Sequence, residues 1–241
     1  MEIFPWSFCI LGLQISRTMQ IEKSTFQFLK DLSENNNRDW FTDNKGDFTN
    51  AQNNAKALYA SVQDNLNKHD EIDKFKLFRI YRDVRFSKDK TPYKTHFGGS
   101  FHRKKPELRG GYYLHIAPGD SFLAGGFWEP NKEDLFRIRK EFEMDASEVR
   151  EILTEENYVK HFGGVFEGEE LKTAPKGFDK THPDIDLIRK KGYIAVKRFS
   201  DKEVLAKDFL SNIDEAFIAL RPFFNYMSDV LTTNLNGESI I

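Results

Sequence analysis

The sequence predicts a single α+β domain in which a mainly antiparallel sheet is flanked by N-terminal and C-terminal helices. Apolar residues recur at helical spacing up to about residue 67 and again after Pro130, whereas short aromatic and β-branched stretches occupy much of the segment between them. The chain has 241 residues, of which 39% are hydrophobic, so it can bury a sizeable core. No stretch of linker composition divides it, which favours one domain.

Two N-terminal helices are predicted from their caps and periodicity. Ser24 is a suitable N-cap for a short helix that ends at the asparagine run. A longer helix then extends to about Asn67, with apolar residues spaced three and four apart.

The sheet is predicted from five stretches with strand-like composition. The first strand is expected from Leu77 to Phe86, because this segment is rich in aromatic and β-branched residues. HFGGSF, GYYLHIAP and SFLAGGFW follow as short strands separated by glycine-rich or charged turns, a spacing typical of an antiparallel meander, and GYIAVKRF supplies one more.

The final helix is predicted within DKEVLAKDFLSNIDEAFIALRPFF, whose apolar residues form one stripe. We therefore expect the domain to cover residues 19–230 and residues 231–241 to fray. The opening segment, residues 1–18, is apolar but too short for a bilayer span, and Met19 is the start that its change of composition favours. The single Cys9 excludes a disulfide framework and predicts a cytoplasmic location, with no membrane association.

Charge is distributed unevenly along the chain. The net charge is −2, yet the segment from Lys74 to Lys105 contains eleven Arg or Lys residues and two Asp residues, a local charge of +9. The remaining residues therefore carry −11, and the protein is an acidic body with one basic segment.

Alternation along the predicted first strand sorts the charged residues into two faces. Arg79, Asp83 and Arg85 share one face, where a carboxylate between two guanidinium groups stays ionised. Arg82 falls on the apolar face, so it must meet a carboxylate or reach water. The following turn, SKDKTPYK, clusters lysines around Pro92. This set suits a phosphate or a carboxylate, but an ion-pair network with a purely structural role explains it as well.

The same residues carry a family resemblance. Arg79-x-x-Arg82-Asp83-x-Arg85-Phe86 followed by Asp89-Lys90-x-x-Tyr93 resembles the motif of an uncharacterised, mainly bacterial family, domain of unknown function 2461. NNNRDWFTDNK, GYYLHI, GGFWEP and PKGFDKTHP resemble further blocks of that family, and together they cover roughly residues 21–227. The resemblance carries over no activity. It does favour a site that includes the motif residues.

Two further residues join the candidate site. Arg38 lies where a loop enters a helix, and a helix N-terminus offers free N–H groups to an anion. His115 lies in an apolar strand pattern, which is typical of a buried structural histidine, but it is also the best general acid or base in the chain.

The motifs of nucleotide-binding loops, serine hydrolases and zinc sites are missing from the sequence, which predicts no cofactor and no metal. We favour an enzyme or a binding protein for a phosphate-bearing or other anionic small molecule. Its anion ligands would be Arg79, Arg82, Arg85, Lys90 and Arg38, and its proton-transfer groups Asp83, Asp89, Tyr93 and His115. Two alternatives stay open, a module that binds nucleic acid or an acidic protein, and a structural ion-pair network.

Overall fold

The computed structural model describes residues 20–241, so the expectations about residues 1–18 and Met19 lie outside the described residues. The helices run in chain order as α1 (Lys23–Glu34), α2 (Arg38–Asp43), α3 (Lys45–Leu66), α4 (Lys132–Met144), α5 (Ser147–Thr154), α6 (Glu156–Phe162), α7 (Ile185–Ile188), α8 (Asp201–Val204), α9 (Phe209–Ala219) and α10 (Arg221–Thr232). The strands are β1 (Ile72–Leu77), β2 (Phe97–Arg103), β3 (Gly111–Ile116), β4 (Ser121–Phe127) and β5 (Tyr193–Phe199). The fold is the predicted α+β domain, with helices before and after the sheet.

The sheet is an antiparallel meander in the order β1-β2-β3-β4-β5. One row of paired residues crosses all five strands, from Lys76 through Ser100, Tyr113 and Ala124 to Val196. The next row joins Gly98, His115, Phe122 and Arg198. Because side chains alternate between faces along a strand, both rows project from the same face, which we call the outward face.

The helices α3, α9 and α10 cover the opposite face of the sheet. Tyr59 of α3 is fully buried and donates its hydroxyl to the backbone carbonyls of Phe97 (3.1 Å) and Leu114 (2.8 Å). The Tyr112 ring packs edge-on against Phe217 of α9, with ring centroids 4.8 Å apart. The core therefore lies on one side of the sheet, and the alternating burial along β4 shows the other side partly open to solvent.

A buried ion-pair network fixes the start of the sheet against the last helix. Asp70 accepts hydrogen bonds from Arg103 Nε (2.7 Å) and the Tyr112 hydroxyl (2.6 Å), and it also pairs with Arg221. The side chains of Asp70 and Arg103 are both 0% exposed. Burial alone would raise the pKa of Asp70, but Tyr112 and the two guanidinium groups outweigh it and hold that pKa below its ordinary value.

Two predicted elements differ from the structure. The strand expected from Leu77 to Phe86 is wrong, because β1 ends at Leu77 and the chain leaves the ladder after Phe78. Phe86, which would share the apolar face with Arg82 in such a strand, is 96% exposed. The single C-terminal helix is divided into α8, α9 and α10, and the last break falls at Leu220, just before Pro222 takes the first turn of α10, where its missing N–H costs nothing.

The C-terminal tail turns back towards the end of α10. Residues 233–239 fold into a turn in which Thr233 pairs with Ser239, and the Ile240 N–H donates to Thr232 O at 2.9 Å. Arg137 of α4 reaches over to the Thr233 carbonyl at 3.2 Å. Among residues 20–241, no helix has the length and apolar character needed to span a bilayer.

Candidate functional site

Residues 78–96, which we call the motif arm, form an irregular hairpin that continues outward from β1 and β2. Its two limbs are held by backbone hydrogen bonds from Arg82 N to Pro92 O (2.9 Å) and from Lys94 N to Ile80 O (2.7 Å). Proline cannot donate to a ladder, and Pro92 uses only its carbonyl here. The arm is therefore a hairpin whose two limbs share only a few backbone hydrogen bonds. For this reason the segment is not a regular strand, although its composition is strand-like.

Tyr93 anchors the arm to the helical layer. Its ring stacks on Phe41 of α2 with centroids 4.0 Å apart, and it is 5% exposed. The side-chain amide of Asn36 donates to Tyr93 O (2.9 Å) and accepts from Tyr93 N (3.1 Å). Burial and the neighbouring Tyr81 raise the pKa of the Tyr93 phenol, and the charge of Arg38 only partly offsets that rise. Tyr93 is thus a packed anchor, with Arg38 beside it on α2.

Arg82, predicted to need a carboxylate or water, forms an ion pair with Asp89. Its guanidinium donates to Asp89 Oδ2 (2.5 Å) and to Thr91 O (3.2 Å), and it also contacts the Thr91 hydroxyl. The Thr91 N–H and then the Arg82 guanidinium lower the pKa of Asp89 to about 2. Asp89 is consequently ionised at neutral pH and is held within a local network.

Arg85 and Asp83 form a second closed pair. Arg85 donates to both oxygens of Asp83, from Nε at 2.9 Å and from a terminal nitrogen at 2.6 Å. These bonds lower the pKa of Asp83. Lys90 donates to the carbonyl of Val84 at 2.9 Å. Most of the predicted motif residues therefore satisfy one another inside the arm.

Arg79 differs from its neighbours because it belongs to a group of unpaired cations. We call Lys76, Arg79 and Lys94 the cation cluster. The ammonium groups of Lys76 and Lys94 lie 5.6 and 5.3 Å from the centroid of the Phe78 ring. Within residues 20–241, none of the three forms an ion pair. Burial, followed by the charges of Arg79 and Lys76, lowers the pKa of Lys94.

Two histidines lie next to the cation cluster on the outward face. The rings of His96 and His115 are 4.1 Å apart, and His115 also stacks on Phe122 at 4.7 Å. The Tyr113 hydroxyl and His115 Nδ1 are 3.0 Å apart and share a hydrogen bond. Burial, His115 and Lys94 lower the pKa of His96 to about 4. Burial also lowers the pKa of His115, so both imidazoles are neutral at pH 7.

The structure thus divides the predicted site residues into two groups. Arg79 belongs to the cation cluster, where its charge acts on Lys94, and His115 lies next to that cluster on the outward face. The others, Arg38, Arg82, Asp83, Arg85, Asp89, Lys90 and Tyr93, belong to the rest of the arm or to its joint with α2. The candidate residues named from the sequence do not include Lys76, Lys94 and His96, which the structure brings close to Arg79 and His115. The alternation of side chains along β1 and β2 places Lys76 and His96 on the outward face, but this alternation can be followed only when the end of β1 at Leu77 is known.

A separate cleft between α1, α2 and α3 has the opposite charge character. Its lining includes Glu22, Asp31 and Asp47 together with Trp40, and it contains no arginine or lysine. It therefore does not suit an anion. Among residues 20–241 no group of three or more His, Cys, Asp or Glu side chains is arranged to hold a metal ion.

Comparison with known families places the chain. Residues 24–226 match the family described as conserved hypothetical protein DUF2461. The chain belongs to this family. Among curated proteins and solved structures, none matches the chain. The DUF2461 match covers the sheet, the motif arm and nearly all of the helical layer, and the family description assigns no activity.

Proposed function

We propose that this DUF2461 protein binds a phosphate-bearing or otherwise anionic small molecule at the cation cluster on the outward face. The observation that supports this is the contrast between neighbouring cations of one segment. Arg82 and Arg85 each have a carboxylate partner, whereas Lys76, Arg79 and Lys94 have none among residues 20–241. Like charges that lie close together without a counterion create a positive potential, and an anion relieves their repulsion.

The surroundings of the cation cluster strengthen the attraction for an anion. Lys94 is partly buried, so its charge is less screened than that of an exposed lysine. His96 and His115 remain neutral beside it and offer ring nitrogens as hydrogen-bonding groups. A cationic guanidinium and two ammonium groups next to neutral donors suit phosphate oxygens and carboxylates.

His115 keeps the acid–base role that the sequence suggests, because its ring lies beside the cation cluster and is neutral at pH 7. Asp83 and Asp89 are committed to ion pairs, and Tyr93 is buried in the joint with α2, so our proposal gives them positioning roles. An enzyme acting on the bound anion is thus favoured over passive storage. We further propose that the protein works in the cytoplasm, because it has a single cysteine.

The test is equilibrium binding of inorganic pyrophosphate by isothermal titration calorimetry at low salt. Lys76→Gln and Lys94→Gln each remove one hydrogen bond to a charged group, so each should weaken binding about tenfold. Lys88→Gln is the matched control, since it removes the same charge from the same basic segment at an exposed position of the arm. It should leave the affinity within about twofold.

The outcomes separate site binding from general attraction. If all three variants weaken binding equally, the basic segment acts only through its total charge and the proposed site is wrong. If the wild-type protein does not bind pyrophosphate at all, the proposal fails. Melting temperatures of the variants should stay close to that of the wild type, because none of the three lysines takes part in an ion pair of residues 20–241.

A further inference from the structure

The outward face carries a continuous layer of aromatic rings beside the cation cluster. Tyr113 lies at its centre, with ring centroids 6.3 Å from Phe78 and 5.7 Å from Phe122. His115 stacks on Phe122, and the His96 ring packs against His115 at a tilt of 32°, which extends the layer along the arm. We call these five side chains the aromatic layer. All of them sit on the side of the sheet opposite the helices α3, α9 and α10.

Small residues lie directly opposite the central ring of the aromatic layer on both neighbouring strands. Ser100 and Ala124 are the cross-strand neighbours of Tyr113 on β2 and β4. Gly98 passes beneath the Tyr113 hydroxyl, and a Cβ atom at Gly98 would lie 2.7 Å from that oxygen. The tyrosine ring therefore leans over β2, and the cross-strand positions Ser100 and Ala124 carry only small side chains beside it. A flat ligand can lie against such a surface.

From these contacts we infer that the anionic ligand is a nucleobase with a neighbouring phosphate, stacked on the aromatic layer and held through its phosphate by the cation cluster. This inference rests on the proposed function and specifies its ligand. Lys76 and Tyr113 share one cross-strand row and are two strands apart, about 10 Å at two spacings of about 4.8 Å. The Lys76 ammonium lies 5.6 Å from the centroid of the Phe78 ring, which is itself 6.3 Å from that of Tyr113. A base and its phosphate bridge the remaining distance.

The chemistry of the face suits this ligand. Every base presents a flat π-face, and stacking on aromatic side chains combined with a positively charged surface is how proteins bind nucleotides without reading their sequence. The Tyr113 and Ser100 hydroxyls and the His102 ring add polar atoms at the edge of the layer, and Ser100 Oγ lies 3.0 Å from His102 Nε2. A free nucleotide and a single strand offer the same chemistry, so the experiment must separate them.

The test compares inorganic pyrophosphate, adenosine diphosphate and a thymidine decamer by calorimetry on the whole chain. Adenosine diphosphate should bind about ten- to hundredfold more tightly than pyrophosphate, because only the nucleotide can stack. Tyr113→Leu should reduce the affinity for adenosine diphosphate to that for pyrophosphate and leave the latter unchanged. Tyr81→Leu is the matched control, since Tyr81 is 51% exposed on the arm, outside the aromatic layer. It should bind both probes as the wild type does.

Gly98→Ala provides a second variant that keeps the ring but displaces it. It should weaken adenosine diphosphate binding without weakening pyrophosphate binding, since the added methyl group meets the Tyr113 hydroxyl. Tighter binding of the decamer, with an affinity that falls steeply with salt, would identify a strand as the source of the base. If neither the nucleotide nor the decamer exceeds pyrophosphate, the inference is overturned while the proposed function stands. If pyrophosphate fails as well, both fall.

Discussion

Replacing Asp70 with asparagine tests the division between charges that stabilise the fold and charges that bind a ligand. The substitution keeps the shape of the side chain and an oxygen that can accept the Glu71 N–H, at 2.8 Å in the native structure. It removes the negative charge that faces Arg103 and Arg221. Arg103 cannot turn to solvent, because its guanidinium also donates to the Arg109 carbonyl at 2.7 Å and is 0% exposed.

The expected cost follows from that burial. Removing one partner of a buried ion pair leaves an uncompensated charge and costs about 3 to 5 kcal/mol. Domains of this kind have unfolding free energies of about 5 to 15 kcal/mol, so the variant should lose a large fraction of its stability. In a chain of this length each kcal/mol lowers the melting temperature by about 2 to 4 °C, which predicts a fall of about 10 °C.

Urea unfolding followed by circular dichroism measures this loss directly. Asp73→Asn is the matched control, since Asp73 is an exposed carboxylate of β1 that forms no ion pair with residues 20–241. It should change the free energy of unfolding by no more than about 0.5 kcal/mol. If Asp70→Asn also stays within about 1 kcal/mol of the wild type, the buried network does not hold the sheet to α10 and our account of it is wrong.

Two further predictions concern the arm and its histidine. The pKa of His96 is about 4 in the folded protein, so the unfolded chain binds its proton first and stability should fall as the pH drops from about 6.5 to 4. In His96→Gln the loss of unfolding free energy over this pH range should be smaller by about 1 to 2 kcal/mol, a value that allows for solvent screening of the ring beside Lys94 and His115. Equal losses in the wild type and the variant, measured by urea unfolding, would refute the assignment. Asn36→Ala removes both hydrogen bonds that clamp Tyr93 and should cost about 1 to 2 kcal/mol. Trypsin should then cleave the arm faster, and an unchanged cleavage rate would show that the clamp does not hold it.

The strands of the meander could be predicted from the sequence because turn-forming residues mark where each one begins and ends. β2, β3 and β4 are short aromatic stretches bounded by glycine, proline or charged turns, and the structure confirms them. The segment after Leu77 has the same composition but forms the arm. Two of its aromatic residues, Tyr81 and Tyr93, pack instead against Phe41 of α2, with ring centroids 6.0 and 4.0 Å away. Those contacts join positions far apart in the chain, so local propensity could not reveal them.

The candidate site could be predicted only in part from the sequence, because it too depends on contacts between distant positions in the chain. The sequence showed that cations concentrate in one segment and that Arg82 needed either a carboxylate or access to water, and the structure places Asp89 against it. It could not show which cations remain unpaired, because pairing depends on how the arm turns back between Arg82 and Pro92. Lys94 reaches Phe78 only after that reversal. The aromatic layer likewise depends on strand order, since Tyr113 and Phe122 are neighbours through the pairing of β3 with β4.

Chemical-shift mapping is the most direct test of the central claim, that the outward face beside the cation cluster is the binding site. Uniformly ¹⁵N-labelled protein would be titrated with inorganic pyrophosphate, and amide shifts would be followed residue by residue. We predict that the changes concentrate at residues 76–79 and 94–98 and extend to Tyr113 and His115. Changes confined to the arm tip at residues 83–90, or to the cleft between α1, α2 and α3, would contradict the account.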